Sequence, residues 1–171
     1  MRRTVLGLPL LHVNGHPHVI AMKNKKTGKY ELMGGSLRPG EADHNGLERK
    51  MKKYMQVPEP EQSFGSATKY QKTKNNLDVK VGDCISVWWR PNFDEQLYPY
   101  LPPHCTRPKE SLKVYMVTIP QKCMFVMPQD YELTDIPLFD LFRDPDKFGK
   151  ILRAVPMMTS TYSISCYKSL D

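Results

Sequence analysis

The sequence predicts an α/β fold, a mixed β-sheet sandwiched by helices (α/β/α), and three observations carry that prediction. Residues 4–13 and 18–22 are apolar runs separated by Asn14-Gly15, a strong hairpin signal because a tight primed turn needs positive φ at both central positions. Within residues 42–55, Leu47, Met51 and Met55 recur at four-residue steps with Tyr54 beside them. Glu48, Arg49, Lys50, Lys52 and Lys53 cover the remaining surface, which makes this stretch an amphipathic helix. Residues 112–119 are apolar on both faces, with Leu112, Val114, Met116 and Thr118 on one side and Tyr115, Val117 and Ile119 on the other, as a central strand requires.

The other elements follow in order. Residues 23–28 read as a basic turn and residues 29–33 as a short alternating strand that runs into a glycine loop. In that loop, from Gly34 to Glu41, the glycines permit positive φ and Pro39 fixes a bend before the helix. Residues 58–76 are polar, carry Pro58, Pro60 and Gly65, and lack any sustained apolar period, so a mobile surface loop is expected there. Residues 77–89 form a β segment with Val79, Val81, Ile85, Val87 and the Trp88-Trp89 pair. Pro91, Pro99, Pro102, Pro103 and Pro108 then exclude both a helix and a central strand. The aromatic residues of that stretch either fold back over their own sheet or build a binding or dimer surface. Short β segments are expected at 123–127 and 131–136, and helical pieces at 138–143, behind Pro137, and at 148–155. Pro156 marks a helix end or start, and Tyr162, Ile164 and Cys166 suggest a last extended piece.

At 171 residues the chain has the length of one domain spanning residues 1–171, and its 15 prolines argue for many loops. A formal net charge of +7 favours anionic partners, nucleic acid first, nucleotides second and acidic protein surfaces third. Cys84, Cys105, Cys123 and Cys166 lie far apart without a metal-ligand spacing, so buried reduced thiols are expected and no metal or disulfide framework. The apolar run at 4–13 is short and interrupted by Gly7 and Pro9, and no run approaches membrane-spanning length. A soluble, intracellular protein is the expectation.

The stretch GGSLRPGEADHNGLERKMKKYMQV, residues 34–57, resembles the Nudix box, whose spacing puts Gly35, Glu41, Arg49, Met51 and Val57 in place. The box's metal-holding glutamates fall on Lys50, Lys53 and Tyr54, and its late glycine falls on Gln56. An ammonium group offers Mg²⁺ no lone pair and repels it, so this substitution inverts the electrostatics of the site. The reading is a retained fold without the retained reaction: no catalytic residue, no metal and no cofactor. Arg49, left without a catalytic glutamate to orient, is expected to pair with Glu48 or Asp43.

A wider match covers essentially the whole chain: Met1-Arg2-Arg3-Thr4-Val5, Gly34-Gly35 through Pro39-Gly40-Glu41, Asp83-Cys84-Ile85, Trp88-Trp89-Arg90-Pro91-Asn92-Phe93, Tyr98-Pro99-Tyr100 and Arg107-Pro108-Lys109-Glu110. These strings resemble the small, Nudix-like subunit of cleavage factor I, the family of cleavage and polyadenylation specificity factor subunit 5. The resemblance implies a homodimeric, catalytically silent Nudix-fold protein of nuclear pre-mRNA 3′-end processing. It would bind single-stranded UGUA-type RNA and a larger subunit that carries an RNA-recognition motif (RRM).

Carried over residue by residue, the RNA-binding set is Lys29, Tyr30, Leu32, Phe148 and Gly149. The family's adjacent aromatic pair is Lys29-Tyr30 here, so one ring is kept; Leu32 matches a leucine lining the site. A Tyr-Gly contact appears as Phe148-Gly149, which keeps the ring and loses the hydroxyl. A base-reading glutamate is replaced by Leu6. Met1 matches an internal methionine, so the N-terminal arm that supplies a glutamate and an arginine is expected to be absent. RNA binding is therefore expected to be weak or relaxed in sequence, with a salt dependence from Lys29 and its neighbours. Two other readings stay open: a dimeric protein-interaction scaffold that has lost RNA reading, and a hydrolase holding its metal elsewhere through Glu41, Glu31 or Asp43.

Overall fold

The computed structural model of the chain describes residues 1–56, 78–120 and 123–165. The elements in order are β1 (Arg2–Val13), β2 (His16–Asn24), β3 (Tyr30–Glu31), β4 (Met33–Ser36), α1 (Asp43–Tyr54) and β5 (Met55–Gln56). They continue with β6 (Lys80–Arg90), β7 (Glu110–Thr118), β8 (Met124–Phe125), β9 (Tyr131–Pro137), a 3₁₀ turn (Leu138–Phe142) and α2 (Pro145–Thr159). β7 is central, as its two apolar faces require: it runs parallel to β1 on one edge and antiparallel to β6 on the other.

The hairpin forms at Asn14-Gly15, both with positive φ, but β1 and β2 pair only from Leu10↔Val19 to Val13↔His16. Beyond that point the strands part. β7 and β9 hold the outer edges, so the segment holding β3 and β4 inserts between the hairpin strands, β3 on β2 and β4 on β1. Gly34 and Gly35, expected in a loop, therefore lie in a strand. The reason is steric: a Cβ on Gly34 would sit 2.1 Å from the Val5 carbonyl oxygen, so only glycine lets β4 approach β1. The chain turns after β4 instead, at Pro39-Gly40, with Gly40 at φ 73°.

Alternation along the strands sends side chains to two separate cores. Val5, Ile20, Met22, Met33, Tyr115 and Val117 pack against Leu47, Met51 and Met55 on one face of the sheet. Leu8, Val19, Ala21, Leu32, Trp88 and Val114 pack against Phe148, Leu152, Val155 and Met158 on the other. This is the expected α/β/α sandwich. The four-residue apolar step of α1 matches its buried face, and burial of each such side chain stabilises the fold by roughly 1.5–3 kcal/mol.

Several expectations need correction. Pro156 lies inside α2, which continues to Thr159 although proline removes a helical hydrogen bond; Leu152, Val155 and Met158, all buried, hold the helix across that defect. Gly149 (φ 71°, ψ 174°) kinks the same helix near its start. β6 carries two register shifts, between Val81 and Cys84 and between Cys84 and Ser86, and Cys84, expected to be buried, is exposed there. The loop expected at 58–76, together with Leu77 and Cys166, lies outside the described residues; residues 163–165 form no strand. The proline-rich stretch folds back in part, since Trp89 and Tyr98 exchange two backbone hydrogen bonds of 2.7 and 2.9 Å, while Phe93 stays exposed.

Replacing Leu47 with alanine empties a fully buried position between α1 and the sheet, and is expected to lower unfolding free energy by about 3 kcal/mol in urea titration. A loss below about 1 kcal/mol would contradict the packing described for α1.

Candidate nucleic-acid interface

The box segment is held by two carboxylates, each engaged by cationic side chains. Glu41 accepts two hydrogen bonds from Arg49, both 2.8 Å, and one of 2.8 Å from the Arg38 backbone N–H. The Arg49 bonds, then the Arg38 N–H, hold the Glu41 pKa down at about 2. Arg49 thus pairs with Glu41 and not with Glu48 or Asp43. Glu48 is taken by Lys52, one helical turn on, at 2.5 Å. Asp43, in the first turn of α1, accepts hydrogen bonds from Arg3 on β1 and from Lys113 and Tyr115 on β7, the latter two at 2.7 and 2.8 Å. Burial alone would raise Asp43, but those three donors outweigh it and bring its pKa to about 2.

The three non-matching positions carry cations and a neutral phenol. The Lys50 ammonium lies 3.2 Å from where a Gly35 Cβ would stand, so its charge sits against the glycine strand of the box. Lys53 is exposed. Burial, with Tyr131 and Glu31 adding to it, raises the Tyr54 pKa and keeps the phenol protonated. Among the described residues no three His, Cys, Asp or Glu side chains gather to hold a metal ion. The divalent cation that a Nudix reaction uses does not fit this donor set.

The other face of the sheet carries a cavity of about 430 Å³ beside α2. Four of the five predicted RNA-binding residues line it: Tyr30, Leu32, Phe148 and Gly149, joined by Leu6, Leu97 and Ile151. The fifth, Lys29, is exposed and outside that lining. The Tyr30 and Phe148 rings lie 5.1 Å apart, tilted by 56°. Phe148 is only 6 % exposed and belongs to the core, whereas Tyr30 is half-buried and offers more ring to a ligand. Sequence reasoning missed Lys147 and Lys23, whose Nζ atoms lie 5.5 and 5.8 Å from the Tyr30 centroid. Lys147 was within reach of a sequence argument, as the neighbour of Phe148. Lys23 needed the register, which sets it directly opposite Tyr30.

A second, more open cavity of about 750 Å³ lies nearby, between Trp88, Leu97, Phe142, Arg153 and Met157. Phe142 and Met157 are 61 % and 73 % exposed, far above what an apolar side chain adopts in a packed core. No helix among the described residues is long and apolar enough to cross a membrane.

The NUDIX_2 family, described as nucleotide hydrolase, matches residues 1–162. The chain is 32% identical over 171 residues to a Dictyostelium discoideum protein named cleavage and polyadenylation specificity factor subunit 5, covering 100% of this chain and 78% of that one. It is 33% identical over 169 residues to the Arabidopsis thaliana pre-mRNA cleavage factor Im 25 kDa subunit 2, covering 99% of this chain and 78% of the relative. Both relatives are named as cleavage factor subunits and not as hydrolases. Among solved structures, the NUDIX domain of Shewanella oneidensis NrtR complexed with ADP ribose superposes with a TM-score of 0.55 at 13% identity, over 93% of this chain and 86% of that one. That likeness concerns the fold alone.

Asp43 gives the site a pH signature. Its folded pKa is depressed below the ordinary carboxylate value, so its stabilisation is complete above about pH 5 and is lost as pH falls toward about 2. The full effect is about 2 kcal/mol by linkage. In urea titrations at pH 7 and pH 3, Asp43→Asn is expected to lose more stability at pH 7 than at pH 3 and to flatten the acid limb; equal losses at both values would refute the depressed carboxylate.

Proposed function

Since the chain belongs to the family of the 25 kDa, Nudix-fold subunits of pre-mRNA cleavage factor Im, we propose that it is a non-catalytic subunit of the mRNA 3′-end cleavage and polyadenylation machinery. It binds single-stranded UGUA-type RNA in the Tyr30 cavity, associates with a larger RRM-containing subunit, and works as a homodimer in the nucleus. The observation that carries the non-catalytic reading is the Lys50 ammonium against Gly35, with Glu41 already engaged by Arg49. A cation fixed where the fold would hold another cation removes the step that activates water.

What supports RNA as ligand is the pairing of an accessible ring with neighbouring lysines. Single-stranded bases stack on aromatic faces and basic groups hold the backbone. Lys29 contributes general attraction from outside the cavity, and Tyr30 is the stacking residue. Leu6 at the cavity wall offers no acceptor to a base edge, which favours relaxed sequence preference. A second reading, a dimeric protein-interaction scaffold, draws on the exposed Phe142 and Met157 beside the wider cavity.

Titration with labelled UGUA-containing and scrambled single-stranded RNAs tests the proposal. Both are expected to bind with modest selectivity, and Tyr30→Ala is expected to weaken affinity by roughly one to two powers of ten, from the 1–3 kcal/mol of one stacked base. Capture of the larger subunit should persist in that variant. Absence of RNA binding with partner capture intact would favour the scaffold, and Mg²⁺-dependent turnover of diadenosine or capped nucleotides, abolished by Glu41→Gln, would overturn the non-catalytic reading.

A further inference from the structure

We infer that Lys23 and Lys147 form a phosphate clamp about the Tyr30 ring, so that the cavity takes a base together with the phosphates flanking it. The inference rests on the proposed RNA site and names the groups that hold the anion there. Lys23 stands on β2 across the ladder from Tyr30, with its Nζ 5.8 Å from the ring centroid. Lys147 comes from the first turn of α2, with its Nζ 5.5 Å from the Tyr30 centroid and 5.2 Å from that of Phe148. Two elements distant in sequence thus bring two ammonium groups to one ring.

Among the described residues neither lysine forms an ion pair. The ring quadrupole attracts each cation only weakly, and the two cations repel one another. An oxyanion brought to the ring within reach of these ammonium groups offsets that repulsion and accepts charge-assisted hydrogen bonds. Both lysines stand at the Tyr30 ring outside the lining of the cavity, and the lining itself selects among anions. Leu6, Leu32, Leu97 and Ile151 make an apolar wall that a bare phosphate or a small carboxylate leaves wet. A nucleotide covers both parts, its base against Tyr30 and the wall and its phosphate on the lysines. Glu31 and Glu95 also line the cavity and repel an anion from their side, which places the phosphate at the lysine side. Lys150, a cation that does line the cavity, donates a 3.0 Å hydrogen bond to Gln96.

Lys29 makes no comparable contact with the ring among the described residues, so it and the clamp are separable by mutation. The test measures binding of a short labelled single-stranded RNA across a salt series for the full chain, the double variant K23Q/K147Q and K29Q. Each phosphate contact on a single strand contributes about 0.7 to the slope of log affinity against log salt. The double variant is expected to flatten that slope by about 1.4, and K29Q, which removes only the general attraction from outside the cavity, by about half as much or less. An unchanged slope in the double variant, or an equal flattening in K29Q, overturns the clamp. If the unmodified chain does not bind RNA, the RNA reading fails and the clamp is judged with uridine 5′-monophosphate against uridine, followed by NMR. A preference for the nucleotide that disappears in K23Q/K147Q supports the clamp, and equal response to both compounds overturns it.

Discussion

The seating of α1 on the sheet depends on one carboxylate. Asp43 collects donors from β1 and β7, strands whose parallel pairing brings Arg3, Lys113 and Tyr115 to the same end of the sheet. Three donors on one acid fix both the start of α1 and the rotation that buries Leu47 and Met51. The cap position, Ala42, has no side-chain oxygen, so the helix begins without the usual local cap and is anchored by its tertiary partners. Glu41 and Arg49 then tie the preceding turn to the middle of the helix.

That arrangement separates two roles that a nucleotide hydrolase joins. The helix that would carry metal ligands packs on one face of the sheet, and the cavity holding Tyr30, Leu32 and Phe148 lies on the other. Positions 50, 53 and 54, on α1, therefore stand on the opposite side of the sheet from the cavity. The bonds at Glu41 and Asp43 order the box segment through the chain's own side chains.

The charge of the chain has a local meaning as well as a global one. Lys23 and Lys147 stand around an aromatic ring, where an anion attached to a flat apolar group meets both of its preferences at once. Arg3, Arg49 and Lys113, by contrast, are consumed in holding the helix. Net charge alone does not distinguish these two populations. Their partners do.

Periodicity and turn chemistry by themselves determined the amphipathic helix, the central strand and the Asn14-Gly15 hairpin, because each is written in the spacing of nearby residues; the charge inversion at Lys50 and Lys53 is visible only through the resemblance to the Nudix box. All five residues assigned to the site came from resemblance, and the meeting of four of them in one cavity required the folded chain. Tertiary structure alone decided that β3 and β4 split the hairpin, that Arg49 takes Glu41, that α2 runs through Pro156, and that Lys23 and Lys147 both approach the Tyr30 ring. Local spacing says which face of an element a side chain occupies. Which distant element lies opposite that face depends on sheet register and core packing, and these are settled by all the strands together.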